Sequence, residues 1–132
     1  LLDANYLILW GNGDEELLAK EIKKRAPDVK ICPKLSIEKL ASIISQLDLV
    51  IGPDTGPTHI AWALNVPSIT LYGPTPGYRN TLITNFNKII ETDSMVDPFK
   101  INHSDYSIKD ISPKEIANLS KDILANLKKN NL

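Results

Sequence analysis

The stretch from Asp48 to Tyr72 constrains the fold more than any other part of this chain. Asp48-Leu49-Val50-Ile51-Gly52 is a short apolar run of strand character, and a polar turn follows it from Pro53 to His59. A helical stretch, roughly Gly56 to Leu64, leads into a second strand, Pro67-Ser68-Ile69-Thr70-Leu71-Tyr72, which Gly73 breaks. Strands that alternate with short helices imply right-handed crossovers and a parallel sheet covered on both faces. In such sheets ligands bind beyond the carboxyl ends of the strands.

The same alternation extends to either side. Asn5 to Trp10 is a near-continuous apolar run closed by Gly11-Asn12-Gly13, as expected of a strand buried on both faces. Asp14 is expected to cap the next helix, with Leu17, Leu18, Ile22 and Ala26 on its apolar side and Pro27-Asp28 at its end. Val29 to Cys32 is the next strand. Ser36 should cap a second helix whose face is Leu40, Ile43, Ile44 and Leu47. Asn87 to Glu91 reads as a fifth strand, and residues 92–111 show no clear period and read as loop. Ser112-Pro113-Lys114-Glu115 is a capped start with proline in the first turn. The last helix should run to about Lys128 with Ile116, Leu119, Ile123 and Leu127 on one side. The expected class is α/β: a Rossmann-like parallel sheet with helices on both faces, spanning residues 1–132 as one domain.

Composition narrows the function. A formal net charge of −1 and no Lys/Arg stripe along any helix give no electrostatic footprint for nucleic acid. The longest apolar runs fall short of the roughly 18 residues that a membrane-crossing helix needs. Cys32 is the single cysteine and sits in an apolar run, so it reads as a small core residue and implies a reducing compartment. The chain has no initiator methionine and enters a strand almost at once, which is the expectation for a piece of something longer.

Four polar turns follow strands: Gly11 to Asp14, Pro33-Lys34, Gly52 to His59, and Gly73 to Arg79. Topology should gather them at one edge of the sheet. At Asp54-Thr55-Gly56-Pro57-Thr58-His59, backbone N–H groups opening a helix have no intrahelical partner, and the helix dipole adds positive potential. Glycine lets an anion approach closely, and Pro57 suits a first turn. A phosphate site and a merely well-capped helix start fit these residues equally. A carboxylate beside a phosphate is unfavourable, so Asp54 is expected to bind a hydroxyl or order the turn. His59 lies about one helical turn in and can look back to the mouth; alone it reads as a packed residue. Glu15, in a first turn, can pair with ribose hydroxyls, or it is a solvated surface acid. Trp10 and Trp62 read as core or site-edge aromatics, with core preferred. His103 earns no role. Walker, G-x-G-x-x-G, C-x-x-C, H-E-x-x-H and G-x-S-x-G patterns are all missing, and no His/Asp/Glu group has metal-ligand spacing.

Asp54 to Thr75, D-T-G-P-T-H-I-A-W-A-L-N-V-P-S-I-T-L-Y-G-P-T, resembles the signature of the lipopolysaccharide heptosyltransferases, glycosyltransferase family 9. Trp10 to Lys20 and Cys32 to Ala41 are similar to two further blocks of that family, in order and spacing. The resemblance implies a GT-B enzyme of two Rossmann-like domains, with this chain as the C-terminal, nucleotide-sugar-binding one. The N-terminal acceptor domain and the first strand and helix of this domain would lie outside it. It implies ADP-L-glycero-β-D-manno-heptose as donor, no cofactor and no metal. The reaction would be inverting transfer of heptose to the Kdo region of lipid A at the cytoplasmic face of the inner membrane, by a protein in at most peripheral contact with it. Carried over by position, Glu15 would hold the ribose hydroxyls and Leu35 would set its backbone against adenine. Asp54 would contact the heptose, Thr55, Gly56, Pro57 and Thr58 would line the diphosphate with His59 nearby, and Thr75 would belong to the site. Asp54 and His59 are the catalytic candidates on this side. The general base, an acid, and a phosphate-binding lysine are expected outside the chain, so the piece alone should bind ADP weakly and transfer nothing. The alternatives are another GT-B donor domain, of a UDP-sugar transferase or epimerase, and a non-catalytic α/β nucleotide-binding module.

Overall fold

The computed structural model describes residues 2–73, 77, 82–92, 104 and 106–130. The chain divides into two compact units, Leu1–Leu40 and Ala41–Leu132. Among the described residues every strand pairing is parallel, in a two-stranded and a three-stranded ladder, as the α/β class requires.

The first unit contains β1 (Leu7–Ile8), α1 (Gly13–Arg25) and β2 (Lys30–Ile31). Leu7 pairs with Lys30 and Ile8 with Ile31, and bonds from Lys30 N to Tyr6 O and from Cys32 N to Ile8 O extend the ladder. The cap of α1 is Asn12 rather than Asp14. Its side chain accepts from Asp14 N and Glu15 N, both at 3.0 Å, because Asn12 keeps the extended backbone of a cap. Asp14 is already helical and acts through the dipole, with Glu15 and Glu16 beside it. The expected apolar side is also overturned: Leu17, Leu18 and Ile22 are exposed, and Ala19 is the buried residue. A ladder two residues long presents too little surface to cover three large side chains. For the same reason Leu7 and Ile8 are only half-buried, not covered on both faces. Cys32 is buried as expected, and desolvation pushes its thiol pKa up.

Helix α2 (Ile37–Ile44) spans the boundary between the units. Ser36 caps it, accepting from Lys39 N at its hydroxyl and from Leu40 N at its carbonyl. Ile44 is completely buried.

The second unit contains β3 (Val50–Pro53), α3 (Gly56–Ala63), β4 (Ser68–Tyr72), β5 (Asn87–Glu91) and α4 (Pro113–Asn130). The ladder order is β3-β4-β5, with Ile51 opposite Ile69 and Ile69 opposite Lys88. The central strand β4 is the one that is buried on both faces, whereas Ile51 of β3 is exposed, contrary to expectation for that strand. A central strand has neighbours on both sides and helices above and below; β3 has one paired neighbour among the described residues. Alternation along β4 sends Ile69 and Leu71 one way and Ser68, Thr70 and Tyr72 the other. On the first face Ile69, Ile90, Ile111 and Ile123 form the core, joined by Ile116, Leu119 and Leu127 of α4. Burying each such side chain is worth about 1.5–3 kcal/mol, which is what holds α4 on the ladder. The second face meets α3, where Thr58 and Ala61 are fully buried.

Two details fix the ends of this unit. Helix α3 stops at Asn65, whose φ of 56° is left-handed; Val66 N bonds to Ala61 O at 2.8 Å and Asn65 N to Trp62 O at 3.1 Å, a Schellman closure. Part of the region expected to be loop is ordered structure: Ser107–Asp110 forms a 3-10 helix and Ile111 enters the core. One turn and one anchor are too short to leave a period in sequence. A Cβ on Gly73 would lie 2.9 Å from Ile108 N, so glycine is needed where this segment crosses the end of β4.

Candidate functional site

The turn between β3 and α3 is built inward from Thr58. Its hydroxyl is fully buried and lies 2.9 Å from Pro53 O and 2.7 Å from Thr55 O, while Thr55 N–H donates to it at 3.3 Å. Thr55 and Thr58 thus sit in capping-box geometry, with Thr55 as the extended cap residue. The box engages the two threonines, and Pro57 has no N–H at all. What is left at the mouth is Gly56 N–H, which makes no hydrogen bond to another described residue. A side chain at Gly56 would meet nothing within 4 Å, so there is room for a ligand to approach this backbone. The first turn of α3 carries no acid; the carboxylate beside this mouth is that of Asp54, just ahead of the cap. Of the amides expected to meet a phosphate, that of Gly56 makes no hydrogen bond to another described residue, whereas those of Thr55 and Thr58 serve the turn itself.

Asp54 and His59 come together across the same turn. His59 Nε2–H donates to Asp54 Oδ1 at 2.6 Å, with the carboxylate largely buried and the imidazole half exposed. A charge-assisted bond this short fixes both groups. One carboxylate oxygen is occupied, so Asp54 has Oδ2 to offer a hydroxyl. The expectation that His59 looks back to the mouth holds in its direction, but its Nε2 is directed at Asp54. Trp62, preferred as core from sequence, is instead at this edge: its ring stacks on His59 with centroids 4.6 Å apart and an interplanar angle of 21°. The signal was present in the spacing, since residues three apart on a helix are neighbours.

In the first unit, Glu15 Oε2 accepts from Gly11 N–H at 2.6 Å, so the carboxylate turns back over the glycine turn rather than trailing into solvent. Asn12 consumes the amides of Asp14 and Glu15. With Asp14, Glu15 and Glu16 in its first turn, α1 repels anions and offers one oriented acid to hydroxyl groups. Trp10 lies at the same strand end, and its indole N–H donates to Cys32 O at 2.6 Å. Leu35 is half-buried just ahead of α2. Thr75, Arg79 and His103 lie outside the described residues. Two open concavities, of about 460 and 480 Å³, flank β5 and α4, lined by residues such as Ile89, Lys114 and Asp122 or Thr92, Asp110 and Glu115; neither includes a residue of either turn. Among the described residues no three His, Cys, Asp or Glu side chains gather to hold a metal ion.

A parallel strand–helix–strand unit with a glycine-bearing turn between strand and helix defines the α/β class that takes ligands beyond its strand ends. Comparison with known proteins makes this specific. The chain belongs to glycosyltransferase family 9 (heptosyltransferase), which matches residues 3–100. It is 43% identical over 119 residues to lipopolysaccharide heptosyltransferase 1 of Campylobacter coli, covering 86% of this chain and 35% of that protein. Against lipopolysaccharide heptosyltransferase 1 of Escherichia coli K12 the identity is 41% over 69 residues, covering 52% of this chain and 22% of that protein. The chain therefore spans about a third or less of the length of these relatives. A solved structure titled E. coli heptosyltransferase WaaC with ADP superposes with a TM-score of 0.68 at 23% identity, over 90% of this chain and 34% of that one. This last likeness is one of fold.

Proposed function

We propose that the chain is the C-terminal, nucleotide-sugar-binding part of a lipopolysaccharide heptosyltransferase and binds ADP-L-glycero-β-D-manno-heptose. The observation that carries this reading is the mouth of α3: a Gly56 amide with no hydrogen bond to another described residue, no acid in the first turn, and the Asp54–His59 pair alongside, in a family 9 chain. The diphosphate sits at Thr55-Gly56-Pro57-Thr58, with Gly56 N–H as the direct donor and the dipole of α3 behind it. Asp54 Oδ2 takes a heptose hydroxyl, and His59 holds Asp54 in place. Glu15 Oε1 takes the ribose hydroxyls while Oε2 stays on Gly11, and the Leu35 backbone lies against adenine. The resolved structures of the relatives are titled with ADP and with ADP-2-deoxy-2-fluoro heptose, which supports an adenine nucleotide sugar over a uridine one.

In the reaction a Kdo hydroxyl of the lipid A acceptor attacks the anomeric carbon of the heptose. The bond to the diphosphate oxygen breaks, ADP leaves, and the configuration inverts. Negative charge grows on the departing diphosphate, and the α3 mouth stabilises it without a metal or cofactor. An acidic base in a separate N-terminal domain takes the hydroxyl proton. The enzyme works at the cytoplasmic face of the inner membrane by peripheral contact; among the described residues no helix is long and apolar enough to cross a membrane. The test is heptose transfer from ADP-heptose to Kdo-lipid A by the full-length protein, with ADP and UDP as competitors. Transfer inhibited by ADP but not by UDP is expected. Absence of transfer, or preference for UDP, overturns the assignment.

A further inference from the structure

Asp54 and His59 are fixed to each other, but the imidazole is half exposed and needs its own support. That support runs back into the sheet. The Trp62 ring lies on His59, and Trp62 Nε1–H donates to Ser68 Oγ at 3.0 Å. Ser68, completely buried on β4, also accepts from Asn87 Nδ2 at 2.9 Å. Asn87, buried on β5, bonds Val66 O at 3.1 Å and accepts from Thr84 Oγ1 at 2.8 Å. The indole is thereby pinned at its N–H end by two strands, with its face presented to the imidazole.

We propose that Trp62 is a positioning residue: anchored by Ser68 and Asn87, it sets the plane of the His59 ring so that Nε2 stays on Asp54 and Asp54 stays aimed at the donor sugar. This rests on the proposed function and deepens it. An unsupported exposed imidazole rotates freely about its terminal torsion, which is broad and roughly two-fold. Stacking removes that freedom on one side, and the indole anchor keeps the stacking surface from turning with it. The hydrogen bond to Asp54 is then retained between catalytic cycles, not rebuilt in each one.

The experiment compares Trp62→Phe and Trp62→Leu in the full-length protein, with two readouts. Phe keeps a ring for the stack and loses the anchor; Leu fills space with no ring. The His59 Nε2–H signal is followed by proton NMR through its exchange with solvent, and KM and kcat are measured for ADP-heptose. Trp62→Leu is expected to speed exchange of that proton and to raise the donor KM by about three- to tenfold, the worth of one aromatic pair. Trp62→Phe should keep most of both. Equal values for Leu and wild type overturn the proposal, as do equal losses in Leu and Phe that merely follow a fall in Tm. If Leu does not fold, Trp62→Met replaces it, since it too fills space with no ring, and an unaltered His59 signal there overturns the proposal. The NMR readout needs no substrate, so a failure to transfer heptose bears on the proposed function and leaves this test intact.

Discussion

The turn from β1 into α1 and the turn from β3 into α3 each bring a glycine and a carboxylate to the mouth of a helix, and they finish with opposite electrostatics. At α1, Asn12 takes up the first amides and three acids crowd the first turn. At α3 the first turn holds no acid, the carboxylate of Asp54 is hydrogen-bonded sideways to His59, and the space over Gly56 is open. The difference teaches which chemistry each can serve. A helix start becomes an anion site when its amides are spared and its charges removed; otherwise it is a seat for hydroxyl groups.

The substitution that most directly attacks this contrast is Gly56→Asp, which gives α3 the electrostatics of α1. The site has room for the side chain, and an acid in the first turn stabilises a helix, so Tm should hold or rise. Affinity for ADP should nevertheless fall by about 100-fold, since like charges in contact cost several kcal/mol; calorimetry and thermal melting check both halves. Thr58→Val comes next. It removes the hydroxyl that ties Thr58 to Pro53 O and Thr55 O, and should cost about 1–3 kcal/mol in denaturant unfolding, through buried groups left without partners. Glu15→Gln preserves a carbonyl for Gly11 N–H and removes the charge, so ADP affinity should fall by about three- to tenfold with stability unchanged. Full affinity in this variant would erase the proposed division of labour. The smallest effect concerns Cys32, which reports how tightly the α1 unit closes. Its raised pKa keeps the thiolate scarce, so alkylation near neutral pH should be slow until denaturant is added. By linkage, its contribution to stability is complete below the ordinary thiol range and is lost as pH climbs through the raised folded value. Alkaline unfolding compared with Cys32→Ala checks that sign.

Much of the second unit was legible because its signals were local and repeated. Asn87 to Glu91 is the strand expected, and Ser112-Pro113 opens a helix carrying Ile116, Leu119, Ile123 and Leu127 inward, as their spacing implied. Periodicity succeeded there because a five-residue parallel strand and a long helix offer each other a continuous apolar surface. It failed on α1, where Leu17, Leu18 and Ile22 have the right spacing and no cover among the described residues. Spacing says which residues share a face; it does not say whether anything packs on that face. The cap of α1 was misplaced by two residues because Asn12 and Asp14 are both good cap residues, and the choice between them depends on where the backbone leaves β1.

The sequence by itself determined the parallel α/β class, the positions of both turns, and the family to which the chain belongs, because these are written in short ordered blocks and in local backbone preferences. Tertiary structure decided which groups at those turns are spared. Thr58 is spent on Pro53 O, Asp54 is held by His59, and Trp62 stacks on His59 with its indole N–H held by Ser68, which Asn87 holds in turn. Hydrogen bonds between residues brought together by folding consume donors that look free in a linear chain, and only their geometry reveals what remains for a ligand.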